Sequence, residues 1–556
     1  MAESTKRNAK EIDRLCETLF SNRSGLDSLR DEQALNFYPE RAGFMCPPQI
    51  GEDFSSHLTT SYPIVVRRDL GNSLSAMLRP QDKRWFGIRA FEDDSETDEE
   101  LVWLERAARV QRNLMYDPKS CFVRATKEGD HDYVTFGNCV ISLDPIIEKT
   151  TFLYRCWHLR DVVWCENEYD EIDTIYRKWR KAAKNINKMF KGNVSKQIAR
   201  AAEKEPYKEF TIVHCVMPSA DYDYDGKPKG EGFPYVSIYY EKDTLHILKE
   251  EPRKRLGYII PGWQRVSGSQ YSHSPATLAA IPDARLIQAM SLTLLEAGEK
   301  SVDPPLVAFG EMLRSDVNSY AGGITYGDKE YDDNIKNMIT TLESDGRNLS
   351  FGLEVQRDIR MLIADAFFLN KLTLNFKKEE MTAYESAQVV SEFRRNALPL
   401  LEPAEHDYNG QLCEETFNTM LDYNIFGPPA SIPKRLQGRE IRFKFESPLK
   451  DALEAENIQK FLQAKTVIAG GIEVEPSAPR IIDWKIAMRD ALKGAGTPAR
   501  WLRSPEAVMK DEQDAKQAQE LAMLLEAGGK GAEILKTTGE AAGALRDAGI
   551  GGQPAV

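Results

Sequence analysis

The stretch that decides the fold reads SPATLAAIPDARLIQAMSLTLLEAGEKSVDPP and covers residues 274–305. Ser274 and Pro275 give a hydroxyl N-cap followed by proline at the first helical position, which predicts a helix start. We expect this helix to break at Pro282, to restart directly after it and to end before Asp303, because proline removes a backbone hydrogen bond. The stretch predicts a long amphipathic helix without a catalytic signature.

Two more helical patterns follow it. The first of these carries a helical stripe that is apolar at all but its last position: Val355, Ile359, Leu362, Ile363, Ala366, Phe367 and Asn370. The other begins at Thr382 with Glu385 three residues on, which is a capping box. An insert rich in proline and glycine, residues 302–351, separates the first two helices. This order predicts a scaffold with an insert at one end and a short loop at the other.

Composition sets wide bounds on the rest of the chain. With 556 residues the chain is too long for one compact core, so we expect several domains or lobes. A hydrophobic content of 42% and a charged content of 29% are ordinary for a folded protein. The formal net charge of -13 argues against a protein that grips nucleic acid through a broad basic surface, but it permits one that lets DNA pass.

The cysteines and the N-terminus indicate where the chain is made. No C-x-x-C pair and no zinc-ligand spacing occurs among the eight cysteines, so we expect buried thiols in a reducing compartment: Cys16, Cys46, Cys121, Cys139, Cys156, Cys165, Cys215 and Cys413. The first residues lack the apolar core of a signal peptide, and no apolar run approaches a membrane span. We therefore expect a cytosolic chain without a membrane segment.

Outside the three helices the pattern is mixed. Alternating apolar residues predict strands at several positions: 136–143, 151–158, 172–179, 210–216, 235–240, 245–248 and 441–445. One helix, near residues 181–190, interrupts them. The last hundred residues have a helical pattern, and the composition turns to glycine, alanine, lysine and threonine from Gly528. The fold class expected is α+β.

A search for catalytic and metal-binding motifs finds one partial match. The chain has no phosphate-binding loop, no H-E-x-x-H and no G-x-S-x-G. Asp221, Asp223 and Asp225 alternate as in the first half of an EF-hand loop. The bidentate glutamate that the loop needs is missing, because Gly232 holds its position and Glu231 comes one place early. An acidic β-turn is favoured over a calcium site.

Two basic clusters remain. Residues 177–181, RKWRK, suit phosphate contact and base stacking, but they also suit the exposed face where a strand runs into a helix, which is the favoured interpretation. Residues 376–380, FKKEE, lie between the second and third helices, at the end of the scaffold opposite the insert.

Eight short motifs stand in order along about residues 15–510: Tyr38-Pro39-Glu40-Arg41, Trp85-Phe86, Phe136-Gly137, the stretch 268–275, the stretch 281–290, the stretch 302–306, the stretch 381–385 and the stretch 446–449. In this order and spacing the chain resembles the head-to-tail connector, or portal, proteins of short-tailed bacteriophages. The resemblance implies a dodecameric ring at one capsid vertex, through whose axis DNA is packaged and ejected.

The resemblance also implies a division into lobes. The α+β wing would comprise residues 1–282 and 382–448, and the stem helices would be 283–301 and 352–372. The clip would be 302–351, the tunnel loop 373–381, the helical crown 449–527 and the flexible tail 528–556. DNA contact in the channel would fall to Lys371, Lys377 and Lys378. The tunnel loop would present Thr373, Phe376, Glu379 and Met381, and the clip would dock partners through Asp303, Pro304, Pro305, Tyr320 and Tyr326.

The implied partners are further copies of the chain, double-stranded DNA, the terminase large subunit, a tail adaptor, the major capsid and scaffolding proteins, and internal core or ejection proteins. No cofactor, no enzymatic activity and no membrane is implied. The chain would reside at the portal vertex of the virion, and in the host cytoplasm during assembly. Two alternatives stay open: a helical scaffold or adaptor without a channel, and a metal-dependent enzyme built on dispersed acids such as Asp221.

Overall fold

The computed structural model describes most of the chain up to residue 308 and parts of the remainder. The described ranges are 9–90 (except 48, 50, 57 and 82), 98–146, 151–222, 233–308, 347–372, 402–438, 441–445 and 461–469, together with residues 311, 313–318, 324–326, 339–341, 483, 484, 487, 488, 491 and 492. The chain divides into two compact units. The larger comprises Met1–Arg89, Ala107–Ile432 and Ile441–Lys450, and the smaller comprises Ala90–Arg106, Pro433–Glu440 and Asp451–Val556.

Five helices occupy the first part of the chain: α1 Ala9–Asn22, α2 Ser24–Phe37, α3 Tyr62–Leu78, α4 Asp98–Met115 and α5 Phe122–Phe136. Helix α3 packs against α5. At the end of α3, the buried Arg79 forms an ion pair with the fully buried Asp130 of α5 and also donates a 2.6 Å hydrogen bond to Asn409. These polar contacts satisfy charges that would otherwise be costly to bury.

The main sheet is antiparallel and has the order β4-β5-β6-β7-β8. Its strands are β4 Val162–Glu166, β5 Ile172–Ala182, β6 Glu209–Pro218, β7 Tyr235–Glu241 and β8 Ile247–Arg253. A three-stranded sheet of order β3-β2-β9 joins Thr151–Trp157, Val140–Ile146 and Tyr258–Ile259, and β1 Phe86–Ala90 lies beside β12 Ile441–Phe445. The expected mixture of helices and sheets is confirmed.

Both faces of the main sheet are covered by other parts of the protein. Neighbouring residues of a strand point to opposite sides, so they pack in different clusters. Trp164 packs in one cluster, together with Phe136 and Val140. Its neighbour Val163 packs in the other, which contains Ile12 and Cys16 of α1. Helix α1 therefore covers the face opposite the one that adjoins β2.

Three local predictions from the sequence need correction. Two helices, α6 Ala183–Met189 and α7 Lys196–Lys204, interrupt the strands where one was expected, and β4 was missed. Residues 136–139 are not a strand, because Phe136 ends α5 and Gly137 is its left-handed C-cap. The thiols are free, but Cys46 and Cys121 are exposed rather than buried.

The remaining elements form the segment that the sequence singled out. They are α8 Pro275–Val302, β10 Leu306–Ala308, β11 Ile339–Thr341, α9 Arg347–Ala366, α10 Leu369–Leu372, a π-helical turn Ala404–Asn409 and α11 Gly410–Asp422. Helix α8 runs through Pro282 without a break, so the expected restart at Asp283 is wrong. The second helix begins at Arg347, five residues earlier than expected, and the expected helix end at Leu372 belongs to the separate α10.

Candidate interaction site: the α8–α9 hairpin and its insert

The first half of α8 is fixed to the rest of the larger unit by hydrogen bonds at its start. The Ser274 hydroxyl accepts from the backbone N–H of Thr277 at 3.5 Å, as the N-cap prediction required. Thr277 in turn donates its hydroxyl to the carbonyl of Thr135 at 2.8 Å and accepts from the Gln33 amide at 3.1 Å. These contacts join α8 to both α5 and α2. Six of the seven buried side chains of α8 lie in this half, and Ser291 lies just beyond it: Ala276, Thr277, Ala280, Ile281, Ala284, Ile287 and Ser291.

A second set of contacts joins the middle of the hairpin to the loop before α3. The Gln288 side-chain oxygen accepts from the backbone N–H groups of Thr59 and Thr60, at 2.8 and 3.0 Å, and its amide donates to the Thr60 carbonyl at 3.0 Å. The Tyr62 hydroxyl donates to the carbonyl of Arg360 at 3.0 Å, and burial raises the pKa of Tyr62. We call the hydrogen bonds between Gln288 and residues Thr59 and Thr60 the Gln288 clamp. Glutamine and threonine at these positions have no distinctive sequence pattern, so the sequence did not predict these contacts.

Helices α8 and α9 pack closely where Gly352 faces Leu294. A Cβ on Gly352 would lie 2.7 Å from a methyl carbon of Leu294, so a larger residue would force that side chain to move. One turn further along α9, the Gln356 amide donates to the Ser291 hydroxyl at 2.8 Å. The two helices thus form an antiparallel hairpin that carries the insert at its far end.

The end of α9 returns to the body through aromatic packing. Ile359, Ile363 and Phe367 are buried at successive helical turns, and the Phe367 ring lies 5.3 Å from that of Phe37. Leu362 of the predicted stripe is instead 54% exposed. Phe368 takes a left-handed conformation, with φ of 58°, which separates α9 from α10.

Two opposite sides of the hairpin expose apolar side chains. On one side, Leu295 and Leu353 are 56% and 54% exposed and line a cleft of about 920 Å³ together with Val302. Leu286 lies nine residues before Leu295 on α8, and Leu362 lies nine residues after Leu353 on α9. Nine residues correspond to about two and a half helical turns, which reverses the direction of the side chain. Leu286 and Leu362 therefore lie on the other side, and they are 48% and 54% exposed. Covering these leucines would remove apolar area from water, which favours association.

Because α8 is continuous, its length and composition would allow it to cross a membrane. No such segment was expected, because no apolar run in the sequence approaches the length of a membrane span. One helix of this kind is weak evidence for a membrane, because core helices of soluble proteins pass the same test. Seven of its side chains, all between Ala276 and Ser291, are buried, so the folded unit already surrounds this part of the helix.

The insert begins as expected at the end of α8. Asp303 is the C-cap, with its N–H bonded to the Glu299 carbonyl, and Pro304 and Pro305 follow. Strands β10 and β11 pair antiparallel, and all three residues of β10 are exposed. Tyr326 is 63% exposed. Its backbone carbonyl accepts a hydrogen bond from the N–H of Arg314, and its own N–H donates to the Ser315 hydroxyl. Tyr320 lies outside the described residues.

The expected DNA-contact residues are placed only in part. Lys371 lies exposed on α10, with its ammonium 5.5 Å from the centre of the Phe368 ring. Lys377, Lys378 and the predicted tunnel-loop residues Thr373, Phe376, Glu379 and Met381 lie outside the described residues, as does the capping box at Thr382. Of the EF-hand-like acids, Asp221 ends a short 3-10 turn, whereas Asp223 and Asp225 are not described. Within the described part of the chain, no group of three potential metal ligands occurs.

Comparison with known proteins gives matches over most of the chain. The model of a family described as bacteriophage head to tail connecting protein matches residues 9–502. A "Probable portal protein" of Bordetella phage BPP-1 is 25% identical over 481 residues, which cover 83% of each chain. The "Portal protein" of Salmonella phage epsilon15 is 24% identical over 489 residues, 85% of each chain. Among solved structures, the virion of a native gene transfer agent particle is 9% identical with a TM-score of 0.36, covering 75% of this chain and 90% of the other.

Proposed function

This chain belongs to the family of bacteriophage head-to-tail connecting proteins, and we propose that it assembles into the portal ring through which phage DNA enters and leaves the capsid. Two curated relatives that match more than four fifths of the chain carry the name portal protein. Proteins of this family are structural, and the role proposed here needs no active site. The motor that hydrolyses ATP would be a separate protein, the terminase.

The observation that carries the proposal is the pair of apolar sides on the α8–α9 hairpin. A contact between two different surfaces of identical chains is heterologous, and such contacts close into a ring when the rotation between neighbours is right. Leu295 and Leu353 on one side, and Leu286 and Leu362 on the other, supply two different surfaces. We infer that the cleft side of one hairpin receives the opposite side of the next, with twelve copies in the ring.

The charge of the hairpin suits a passage for DNA. Helix α9 carries three arginines and three acids, so it offers the phosphates no excess of positive charge. Strong binding through lysine and arginine would hold DNA in place, because each phosphate contact adds salt-dependent affinity. Lys371, and Lys377 and Lys378 beyond it, would be the exceptions that steady the DNA at the loop following α10.

The insert is proposed as the docking surface for successive partners. Strand β10, which is exposed, follows after the end of α8, and β11 pairs with it. We assign this surface to the terminase large subunit during packaging and to the tail adaptor afterwards, with Asp303, Pro304, Pro305, Tyr320 and Tyr326 as contacts. Capsid, scaffolding and internal core proteins would contact the remainder of the ring.

Imaging tests the proposal directly. Negative-stain images and native mass of the purified chain should show annular particles of twelve copies with a central hole. A monomer or small oligomer with metal-dependent activity would support the enzyme alternative instead. Large particles without a hole would support the helical scaffold.

The channel lysines are tested in phage assembly. Replacing Lys371, Lys377 and Lys378 with alanine should leave rings intact but reduce the amount of DNA packaged or retained, measured as DNA per particle. Normal DNA content in particles that carry this triple variant would show that these lysines have no such role. A triple replacement of the exposed Lys10, Lys119 and Lys465 is the matched control.

A further inference from the structure

A block of positive charge stands out in this acidic chain. Residues 174–202 contain nine lysines and arginines and no aspartate or glutamate, whereas the whole chain has a net charge of -13. The nine are Arg177, Lys178, Arg180, Lys181, Lys184, Lys188, Lys191, Lys196 and Arg200. The block covers most of β5, all of α6 and the first part of α7.

The structure separates two of these cations from the rest. Arg177 is 2% exposed and stacks on the Trp157 ring at 3.8 Å, so it serves the core. Lys178 forms a 2.9 Å ion pair with Glu17 and lies over the Phe20 ring. The expected passage from a strand into a helix is confirmed, since β5 runs directly into α6, but the expected exposed face is wrong for Arg177, which is buried.

The other cations remain available to a partner. Six are exposed and form no ion pair with any described residue: Arg180, Lys184, Lys188, Lys191, Lys196 and Arg200. We call these six the basic surface. In a chain with more acids than bases, six neighbouring cations without a carboxylate partner indicate an anionic ligand.

Helix geometry orders this surface. Lys184 and Lys188 are four residues apart on α6, and Lys196 and Arg200 are four apart on α7, so each pair lies on one side of its helix about 6 Å apart. The apolar residues of the two helices point the other way, into a core cluster with Phe210 and Leu248. The cations therefore face solvent from a rigid two-helix support.

A cleft next to the basic surface continues the positive charge. It measures about 610 Å³ and is lined by Lys181 of β5, by Arg124 and Arg155 from neighbouring elements, and by apolar and aromatic side chains that include Trp157 and Trp179. Its acid, Glu128, is bound to Arg41 at 3.0 Å. The cleft thus adds cations to the surface while its carboxylate is already paired.

The geometry points to the phosphate backbone of double-stranded DNA as the ligand of the basic surface, at a place separate from the α8–α9 hairpin. This inference rests on the proposed function, which brings the ring into contact with the phage genome. An acidic protein is the competing ligand, but protein interfaces use an apolar or aromatic centre with charges at the rim. Within residues 183–204, all of which are described, Met189 is the one large apolar side chain that is exposed. Phosphate contacts need only lysine and arginine.

The test uses a DNA that cannot enter a channel. A fluorescently labelled, covalently closed DNA minicircle cannot thread a closed ring, so its binding reports surfaces outside the channel. We expect the assembled wild-type protein to bind it with an affinity that falls steeply as salt rises. The triple variant Lys184→Gln, Lys188→Gln, Arg200→Gln should bind about tenfold or more weakly at 0.1 M salt. Its log–log salt slope should fall by about one for each engaged cation removed.

Two further variants separate lost charge from lost structure. The charge-preserving variant Lys184→Arg, Lys188→Arg, Arg200→Lys should bind like the wild type. The Lys10→Gln, Lys119→Gln, Lys465→Gln variant removes the same charge elsewhere and should also bind like the wild type. If the Lys184, Lys188 and Arg200 glutamine variant binds no more weakly than this control, or if the minicircle does not bind at all, the inference is wrong.

The remaining outcomes are also decisive. An oligoglutamate peptide that binds the basic surface more tightly than DNA, and loses binding in the same variant, would identify an acidic protein as the ligand. If no ring forms, the proposed function fails, but titration of a short linear duplex against the unassembled protein still tests the basic surface. If rings form and the variants do not differ, only the present inference fails.

Discussion

At the scale of single residues, Gly137 sets the junction between α5 and α8. Its φ of 83° ends α5 in a left-handed cap. A Cβ at this position would lie 2.3 Å from the backbone carbon of His273 and 2.5 Å from the nitrogen of Ser274. Gly137, which ends α5, therefore leaves room for the backbone of His273 and Ser274, which precedes α8. Adding a single methyl group at Gly137 would fill this space.

Substitution of Gly137 with alanine should destabilise the larger unit by about 2–4 kcal/mol, because strain at positive φ adds to an overlap with backbone that cannot move freely. Thermal unfolding of the purified variant measures this. Gly25→Ala is the matched control, since no atom lies within 4 Å of the added Cβ and alanine favours the helix there. Equal melting temperatures for the two variants would show that the junction tolerates the methyl group.

At the scale of elements, the two apolar sides of the hairpin make a specific prediction about assembly. Leu295→Glu with Leu353→Glu removes the cleft side, and Leu286→Glu with Leu362→Glu removes the opposite side. Each double variant alone should fail to form rings, because a charge replaces apolar area worth about 1.5–3 kcal/mol per leucine. Native mass spectrometry and negative-stain imaging measure the loss.

Mixing the two double variants distinguishes a heterologous contact from a symmetric one. Each variant keeps the side that the other has lost, so the mixture should give dimers that cannot extend into rings. Val123→Glu with Val266→Glu, which changes exposed valines elsewhere, should leave rings intact. Rings formed by either hairpin variant alone would contradict the proposed interface.

The elements also show how far the sequence predicts this fold. The Ser274–Pro275 cap and the alternating strands could be predicted from the sequence, because they depend on neighbouring residues alone. The break at Pro282 was wrong because packing prevails over the local rule. Ala280, Ile281 and Ala284 are buried on both sides of the proline, which offsets a cost of about 3 kcal/mol for proline inside a helix.

Helix α5 was missed for a different reason. It buries Asp130 and Asp132, and carboxylates are rarely buried unless they are paired. Their partners Arg79 and Arg41 lie 51 and 91 residues away, so no local pattern could reveal the pairs. The Gln288 clamp, whose glutamine lies 229 residues from Thr59, was unpredictable on the same ground. In the candidate site, the hairpin and its insert were predicted from sequence, whereas its attachments to the body were not.

At the scale of the whole molecule, the charge distribution gives two surfaces different roles. Helix α9 is balanced in charge, while residues 174–202 carry nine cations within a chain of net charge -13. Salt therefore should affect the two functions differently. In the proposed ring, passage along a balanced wall would depend little on salt, whereas DNA binding to the basic surface would weaken as counterions compete for the phosphates.

One buried and two half-buried histidines should make the molecule sensitive to acid. Burial lowers the pKa of His158 and His214 well below 6.5, and burial together with Arg67 lowers the pKa of His131 to about 4. The Nη1 group of Arg67 lies 3.1 Å from Nδ1 of His131 and can only donate, so that nitrogen must accept. The folded state thus holds His131 neutral, with Arg68 and Lys127 also opposing a proton.

The sign of the pH dependence follows from these pKa values. An unfolded histidine binds a proton near pH 6.5, whereas folded His131 binds one only near pH 4. The unfolded state therefore takes up more protons between these values, and stability that is fully present above pH 6.5 is lost as pH falls towards 4. The melting temperature should fall over this window, and His131→Gln, which keeps an acceptor for Arg67, should make the fall shallower. His406→Gln is the control, because it removes a histidine whose side chain is exposed. A His131→Gln curve parallel to that of the wild type would mean that His131 does not resist protonation in the fold.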